Sequence, residues 1–256
     1  MNRLVGANFV RLIKDKIFWI CMATMIGLAA FMLFTCYRNG QTTGTKVPID
    51  GGFFIEMQFL GALIASFCSM FVGTEYNDGT IRNKIAVGHK RNAIYLSNFM
   101  TVSMAGIGMM LMYLIPFSVV GLLAFGVQTT DMRDIAFCLF FSVMVILAYA
   151  SICTMLSMCI QNRTIVMNIS ILGFFILMFA AIYLFSSLGN DAAYPYMTEL
   201  QRKMYLFLFD FLPSGQGFQL ASMESNYNWL LPLYSLIISV ISSAIGMIVF
   251  HKKDIK

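Results

Sequence analysis

Glu75 and Asp78 are the closest that this chain comes to a catalytic pair on the inner side of its predicted membrane spans. Paired carboxylates at helix ends that face one cavity would serve proton transfer in an intramembrane enzyme. No histidine joins them in a dyad or an H-E-x-x-H motif, because His89 and His251 both lie beside basic residues. No catalytic residue is therefore assigned, and the acidic pair is better explained by the docking segment described below.

Sulfur-containing side chains are abundant, with 6 cysteines and 21 methionines. The cysteines lie inside or at the ends of apolar runs and form no C-x-x-C pair, which is typical of small apolar side chains rather than disulfides or zinc ligands. Methionine thioethers can bind Cu(I), but no cysteine or histidine accompanies the methionines of the third run, so no metal site is predicted. The loop Gly40–Lys46 lacks the G-x-x-x-x-G-K-[ST] order, and no nucleotide-binding domain is predicted.

Six apolar runs of the sequence predict six membrane-spanning helices, and these helices would position any functional side chain. Hydrophobic residues form 59% of the 256-residue chain and charged residues 11%, with a mean hydropathy of +0.77, which indicates an integral membrane protein. A helix needs about 20 largely apolar residues to cross the hydrocarbon core. The predicted spans cover about residues 17–37, 53–73, 97–125, 135–159, 164–187 and 229–250. We therefore expect an all-α membrane protein, with residues 1–256 in a single transmembrane domain.

Residues 1–16 predict a further helix that lies in the membrane interface, since apolar side chains fall near one helical face and basic ones elsewhere. A solvated basic tail is the alternative. Of the 17 lysines and arginines, 12 lie on the N-terminal side of the predicted membrane. The positive-inside rule then places both termini in the cytoplasm. The net charge of +5 is accordingly a topology signal and does not indicate a nucleic-acid partner.

Ionisable side chains are absent from the middles of all six predicted spans, and Glu56, about one turn from the outer end of the second, is the only one inside a span. Ion-coupled carriers usually need buried ionisable groups, so the energy for uphill transport would enter from elsewhere. A carrier built on broken helices with exposed backbone carbonyls stays open as an alternative.

Small residues repeat every four positions along the second span and predict that this span packs closely against another helix of the chain. A role in dimerisation or in lining a substrate path is the alternative. The small residues are Gly61, Ala65, Ser69 and Gly73.

The segment at residues 74–92 is the one conspicuously polar and basic stretch on the inner side. Asp78 and Gly79 can form a turn, and Ile81 and Ile85 lie one helical turn apart. This spacing predicts a short amphipathic helix whose two isoleucines insert into a groove on a soluble partner. The candidate docking residues are Glu75, Asp78, Gly79, Thr80, Ile81, Arg82, Lys84 and Ile85.

In these residues the chain resembles the ABC-2 type permeases, the membrane subunits of ATP-binding-cassette exporters. Their second and third spans are linked by a motif of the form E-x-x-x-G-T-[IL]-[RK], matched here by Glu75 and the run Gly79–Arg82. The run Ser97–Phe99 (SNF) and the outer run Phe211–Gln216 (FLPSGQ) are similar to those of small six-span permeases from Gram-positive bacteria. The plan of an interfacial helix and six spans agrees over the whole chain.

The resemblance implies the ABC-2 exporter (type V) permease fold in a bacterial plasma membrane. Two separate ATPase subunits would bind ATP and Mg, this chain would bind no cofactor, and a second copy or a sister permease would complete a dimer. Family members export antimicrobial peptides or lipophilic drugs, which would confer antimicrobial peptide resistance. A self-sufficient secondary carrier or channel, and a peptide-binding sensor or immunity subunit, are the alternatives.

The resemblance also implies roles within the 74–92 segment, which would sit in a cleft of the ATPase. Ile81 and Ile85 would anchor it, Gly79 would allow the turn, and Glu75 would fix the segment to neighbouring helices. Arg82 and Lys84 would contact the partner or lipid headgroups. An ordinary positive-inside loop is the alternative.

Residues 188–228 form an outer segment that is too polar to add two spans, although the run Tyr205–Leu212 is too apolar for a free loop and too short to cross. We expect short helices that dip into the outer leaflet, with Asp210 near water. In the resembling family this region caps the outer mouth. Candidate residues of the outer mouth are Glu56, Asp210, Pro213 and Gly215.

Overall fold

The chain folds into ten α-helices in the part that the computed structural model describes, residues 2–43, 50–124, 131–189, 198–223 and 228–253. A single 3₁₀ turn at Asp50–Gly52 precedes the third helix, and the described residues contain no strand. The helices are α1 (Asn2–Lys14), α2 (Lys16–Thr43), α3 (Met57–Asn77), α4 (Thr80–Ala86), α5 (Arg91–Ala124), α6 (Met132–Cys159), α7 (Arg163–Gly189), α8 (Glu199–Phe211), α9 (Pro213–Ser222) and α10 (Leu230–Lys252).

Six of these helices, α2, α3, α5, α6, α7 and α10, are long and apolar enough to cross a membrane. The predicted all-α class with six spans is therefore confirmed. Predicted features in residues 1, 44–49, 125–130, 190–197, 224–227 and 254–256 lie outside the described residues, including the first residue of the predicted interfacial helix and the last residue of the third predicted span. Among them are the end of the loop Gly40–Lys46, two stretches of the outer segment and the last three residues.

The clearest differences in helix bounds fall around the 74–92 segment. Helix α3 continues past the predicted end at residue 73 to Asn77, and α5 begins at Arg91, six residues before the predicted start at 97. Gly73 does not end α3, because the first residue with a positive φ angle is Gly79. The polar segment is therefore mostly helical, and Glu75 lies inside a membrane-length helix.

The helices alternate in direction, so the bundle has two ends. One end holds α1, α4 and the C-terminal end of α10, and we refer to it as the α4 end. The other holds the 3₁₀ turn, α8 and α9, and we refer to it as the α9 end. Helices α3 and α6 are the most enclosed spans, whereas α2 and α7 are the least enclosed and expose many large apolar side chains. Exposed apolar faces of this kind suit contact with lipid.

The four small residues of the second span lie buried along α3, where α7 is a main packing partner. A Cβ atom on Gly61 would lie 2.5 Å from the ring of Phe174, and one on Gly73 would lie 2.4 Å from the Cβ of Arg163. Both contacts are to α7, so the glycines allow the two helices to approach closely. Within this chain the stripe serves intramolecular packing.

Candidate functional site

Glu75 is a buried carboxylate near the C-terminal end of α3, with 1% of its side chain exposed. Two cations reach the same oxygen: Arg11 Nη1 from α1 lies 2.7 Å from Oε1, and Lys84 Nζ from α4 lies 2.5 Å from it. Asn98 from α5 donates to the other oxygen, Oε2, at 2.9 Å. One carboxylate therefore joins four helices.

Further polar contacts extend this cluster. Asn8 of α1 donates to Asn98 Oδ1 at 2.7 Å and to Ser97 Oγ at 3.3 Å, and its own side-chain oxygen accepts from Lys84 Nζ at 3.1 Å. Arg11 also donates to the Phe71 carbonyl at 2.6 Å and to the Thr74 hydroxyl. We name these residues the Glu75 cluster; its members are Asn8, Arg11, Thr74, Glu75, Lys84, Ser97 and Asn98.

The Glu75 cluster is arranged so that burial of charge is compensated. Removing a carboxylate from water is costly unless opposite charges and hydrogen bonds replace the lost hydration. Here both oxygens of Glu75 have donors, and the amide groups of Asn8 and Asn98 are paired with each other. A satisfied buried network of this kind fixes a single arrangement of its helices. A displacement of α4 would consequently disturb the contacts of α1, α3 and α5 within this cluster.

Helix α4 is a seven-residue helix set between two turns. Gly79, at its N-terminal end, has a φ of +66°, and Gly88, just after it, has a φ of +93°. Thr80 donates from its hydroxyl to the Glu75 carbonyl at 3.1 Å, which ties the first residue of α4 back to α3. The two glycines therefore allow the chain to leave α3, make α4 and turn into α5.

Gly79→Ala is expected to destabilise the protein by about 1–2 kcal/mol, because an L-residue in the left-handed region brings Cβ too close to the following carbonyl. Space is not the reason, since nothing lies within 4 Å of a Cβ built there. The check is the midpoint of chemical unfolding in detergent. Gly6→Ala is the control, because Gly6 also has open space but has a helical φ. Equal midpoints for the two variants would contradict the conformational argument.

Ile81 does not face outward as the docking interpretation expected. Its side chain is 1% exposed and belongs to the hydrophobic core of the bundle, and Ile85 is partly buried against the same core. Ile81 is therefore not available to insert into a partner in this structure, because the groove that accepts it is formed by its own chain, whereas the insertion of Ile85 stays a prediction. The exposed residues of the segment are Asn77, Asp78, Arg82, Asn83, Ala86, Val87, Gly88, Lys90 and Asn92.

Two depressions flank α4 at the surface. One, of about 330 Å³, is lined by residues of α3, the turn and α4, together with Gln161 from the α6–α7 connection. The other, of about 310 Å³, lies beside Val87 and His89. Val87 itself is 78% exposed. The α4 end thus presents a short ridge with a concave surface on each side.

The same end is closed by two basic side chains that bind helix C-termini. Arg91 of α5 donates to the carbonyls of Phe250, His251 and Lys253 at 3.1, 2.8 and 2.6 Å. Lys253 donates to the carbonyls of Met158 and Cys159 at 3.1 and 3.0 Å. Partial burial lowers the pKa of Lys253. These cations satisfy carbonyl groups that helix ends leave unpaired and match the negative end of the helix dipole.

The α9 end is organised around Gln216, which is fully buried. Gln216 donates to the carbonyls of Asp210 and Leu231, at 2.8 and 3.3 Å, and accepts from the Ser235 hydroxyl, so it joins α8, α9 and α10. Asp210 accepts from Gln219 at 2.8 Å, and its pKa is raised by partial burial. These contacts fix the corner between α8 and α9.

The remaining outer-mouth candidates occupy different parts of this end. Pro213 and Gly215 are buried in the first turn of α9, where Pro213 begins the helix. Glu56 is buried in the turn before α3 and has no hydrogen bond to Asp210 or to any other described residue. The structure thus places Asp210, Pro213 and Gly215 together at the α8–α9 corner and Glu56 apart from them.

Several members of the Glu75 cluster were not identified from the sequence. Leu4, Asn8 and Leu12 form one buried stripe at four-residue spacing along α1. An asparagine between two buried leucines is the signal that could have identified Asn8, since buried amides need partners. Arg11 entered the sequence analysis only as a topological charge. Asn98 was noted in the run Ser97–Phe99 without a partner.

No group of three or more metal-ligating side chains occurs among the described residues.

A family model described as ABC-2 family transporter protein matches residues 4–181, which is more than two thirds of the chain. The matched region includes the whole Glu75 cluster and the first four spans together with most of the fifth. No curated protein matches the chain.

Proposed function

This chain belongs to the ABC-2 family of transporter proteins, and on that premise we propose that α4 is the element through which a separate ATPase drives the bundle. Members of this family are the membrane permease components of ATP-binding-cassette transporters and are not themselves catalytic. The chain is accordingly a multi-pass membrane permease. In the proposed complex, two ATPase subunits bind ATP and Mg and act on two permeases, which are either identical or sister chains.

The observation that carries this proposal is the junction at Glu75. Lys84 of α4 binds the same carboxylate that also binds Arg11 of α1 and Asn98 of α5. Because packed and hydrogen-bonded elements move as units rather than deform continuously, a push on α4 would be transmitted to three other helices. This arrangement supports a role for α4 in transmitting the ATP-driven closure of the partner to the membrane spans.

The proposed docking face is the exposed side of α4 and the turn after it. It carries Arg82, Asn83 and Val87, while Ile81 stays within the permease core. A protruding valine at the edge of one depression suits insertion into a cleft of a soluble subunit. The basic residues of this end and the positive-inside rule support a cytoplasmic location, with both termini on that side of a bacterial plasma membrane.

The proposed substrate is amphiphilic, such as an antimicrobial peptide or a lipophilic drug, moved outward at the expense of ATP. Apolar spans without ionisable residues in their middles support a substrate of this class. The short amphipathic helix α8, which packs on the largely buried α9, supports a cap at the membrane surface where such a substrate would leave.

The test is recovery of an ATPase with the tagged chain from its native membrane in mild detergent. We expect a P-loop ATPase at close to one copy per permease, and we expect Val87→Asp to reduce its recovery by about tenfold, equivalent to about 1.4 kcal/mol of binding free energy. Leu200→Asp is the matched control, because Leu200 is a comparably exposed apolar residue on α8. Size-exclusion light scattering of the recovered complex reports whether two permeases are present.

Substitution of Ile81 is unsuitable for this purpose, since a charge at a residue with 1% exposure would disrupt the core. Val87→Asp keeps the core intact, so a loss of ATPase with an unchanged melting temperature is specific to docking. A well-folded chain that recovers no ATPase would refute the proposal and favour a self-sufficient carrier or channel.

A further inference from the structure

Glu56 is a buried carboxyl group at the α9 end that the coupling mechanism does not use. It immediately precedes α3 and is 0% exposed. Neither Oε1 nor Oε2 has a hydrogen-bond partner among the described residues. Glu56 also makes no side-chain cap to the first turn of α3, although it stands at the N-cap position. Glu75 differs in this respect, because both of its carboxylate oxygens accept hydrogen bonds.

Burying a carboxyl group without hydrogen-bond partners is energetically unfavourable, so its presence at this position indicates a functional role. An ionisable side chain buried without partners costs several kcal/mol, and charged residues at membrane depth are retained mainly where they bind or move something. Burial raises the pKa of Glu56 well above its usual range, so the closed site favours the neutral carboxyl, whereas a bound cation would stabilise the charged form. Glu56 is thus positioned to accept a positively charged group.

The surroundings of Glu56 select the chemical class of that group. Phe53 and Phe54 are buried in the same turn. Phe53 packs edge-to-face on Phe117 at 5.7 Å between ring centroids, and Tyr113 stacks on Phe117 at 5.5 Å. Aromatic rings packed around the turn that carries the carboxylate favour an organic cation. A metal ion would need several oxygen ligands, and the described residues offer no such group.

Two contacts hold this turn closed. Tyr113 donates to the Gly52 carbonyl at 2.7 Å, which ties the turn to α5. Helix α9 lies directly over the start of α3, where a Cβ on Gly217 would be 3.0 Å from the Met57 carbonyl. Movement of α9 away from Met57 would therefore open the region next to Glu56 toward the α9 end.

We propose that Glu56 binds the basic group of an amphiphilic substrate, a primary amine or a guanidinium, when α9 moves away from the start of α3. This inference rests on the proposed function and narrows its substrate class to amphiphiles that carry a positive charge. The carboxylate pairs with the cation, and the neighbouring aromatic rings contact the apolar part that flanks it. Neutral amphiphiles lack this interaction.

The experiment measures binding of two fluorescent peptides to the purified full-length chain in zwitterionic nanodiscs. Both peptides are leucine-rich and labelled; one carries a single lysine, and its twin carries acetyl-lysine, which has no charge. We expect the lysine peptide to bind the unmodified protein about tenfold more tightly than its twin, after subtraction of binding to empty nanodiscs. Glu56→Gln is expected to bind the two peptides equally.

Glutamine matches glutamate in size and loses no partner, so this variant is expected to fold. Glu199→Gln is the control, because Glu199 is an exposed acid at the same end of the bundle. Discrimination that survives Glu56→Gln, or an unmodified protein that does not distinguish the peptides, would overturn the assignment. Binding needs no ATPase, so discrimination in a chain that recovers no ATPase would refute the coupling proposal alone.

Discussion

Glu75→Ala is expected to lower the free energy of unfolding by about 3–5 kcal/mol, the usual cost of removing one partner from a buried ion pair. The variant leaves Lys84 and Arg11 at a site shaped for a carboxylate. Lys84 is 17% exposed and Arg11 is 32% exposed, so neither cation can regain its full hydration without moving its helix. The measurement is the midpoint of chemical unfolding in detergent.

The cluster also predicts that the energies of its members are not additive. Lys84→Ala alone leaves Glu75 with less compensation, whereas the double variant Glu75→Ala with Lys84→Ala removes both charges. We expect the double variant to cost at least about 1 kcal/mol less than the sum of the single variants, as is typical of contacting residues in one network. Arg11→Ala should cost less than Lys84→Ala, because Arg11 is the more exposed cation.

Glu199→Ala on α8 is the control for these measurements, since its side chain is exposed and lies far from the cluster. Its effect should stay within about 0.5 kcal/mol. If Glu75→Ala were equally mild, the Glu75 cluster would not hold the four helices together. If Glu75→Ala had its expected cost but the double variant cost the full sum, the ion pairs would act independently.

Gly215→Val is expected to have the second largest effect, by displacing the corner between α8 and α9. A Cβ at this position would lie 2.0 Å from the Phe209 carbonyl oxygen. The obstructing atom belongs to the backbone, so no side-chain rotation can relieve the contact. We expect a loss of about 1–3 kcal/mol, the usual range for overpacking, seen as a lower melting temperature and faster proteolysis at α8.

Gly173→Val is the matched control, because Gly173 lies in α7, where a Cβ would meet nothing within 4 Å. This variant should melt close to the unmodified protein. A Gly215→Val protein that resists protease as well as the control would show that the α8–α9 corner yields without cost. The comparison separates a steric effect at Gly215 from the general effect of introducing valine into a helix.

Much of the fold follows from the sequence because membrane spans depend on length and hydrophobicity alone. The six spans could be predicted in this way, and so could the turn at Gly79, since its position depends on local residue types. The end of α3 could not, because Gly73 resembles a helix terminator although it serves contact with Arg163. Distinguishing these roles of glycine requires knowledge of the neighbouring helix.

The candidate site was only partly predictable for a related reason. Helical spacing shows that Ile81 lies on an apolar face, but it does not show whether that face is covered by a partner or by the same chain. The contacts of Glu75 join residues 64 and 23 positions away in sequence, which a single sequence does not report. The missing information is tertiary and concerns which elements meet.

The basic residues that close the α4 end have a consequence for biosynthesis. Arg91 binds carbonyl groups about 160 residues later in the chain, and Ser151 of α6 shares a hydrogen bond of 2.7 Å with Ser242 of α10. During translation these partners emerge well after α5 and α6, so both helices enter the bilayer before α10 is present to pair with Arg91 and Ser151. Insertion of α10 therefore joins the beginning of α5 and the middle of α6 after both helices are already in the bilayer.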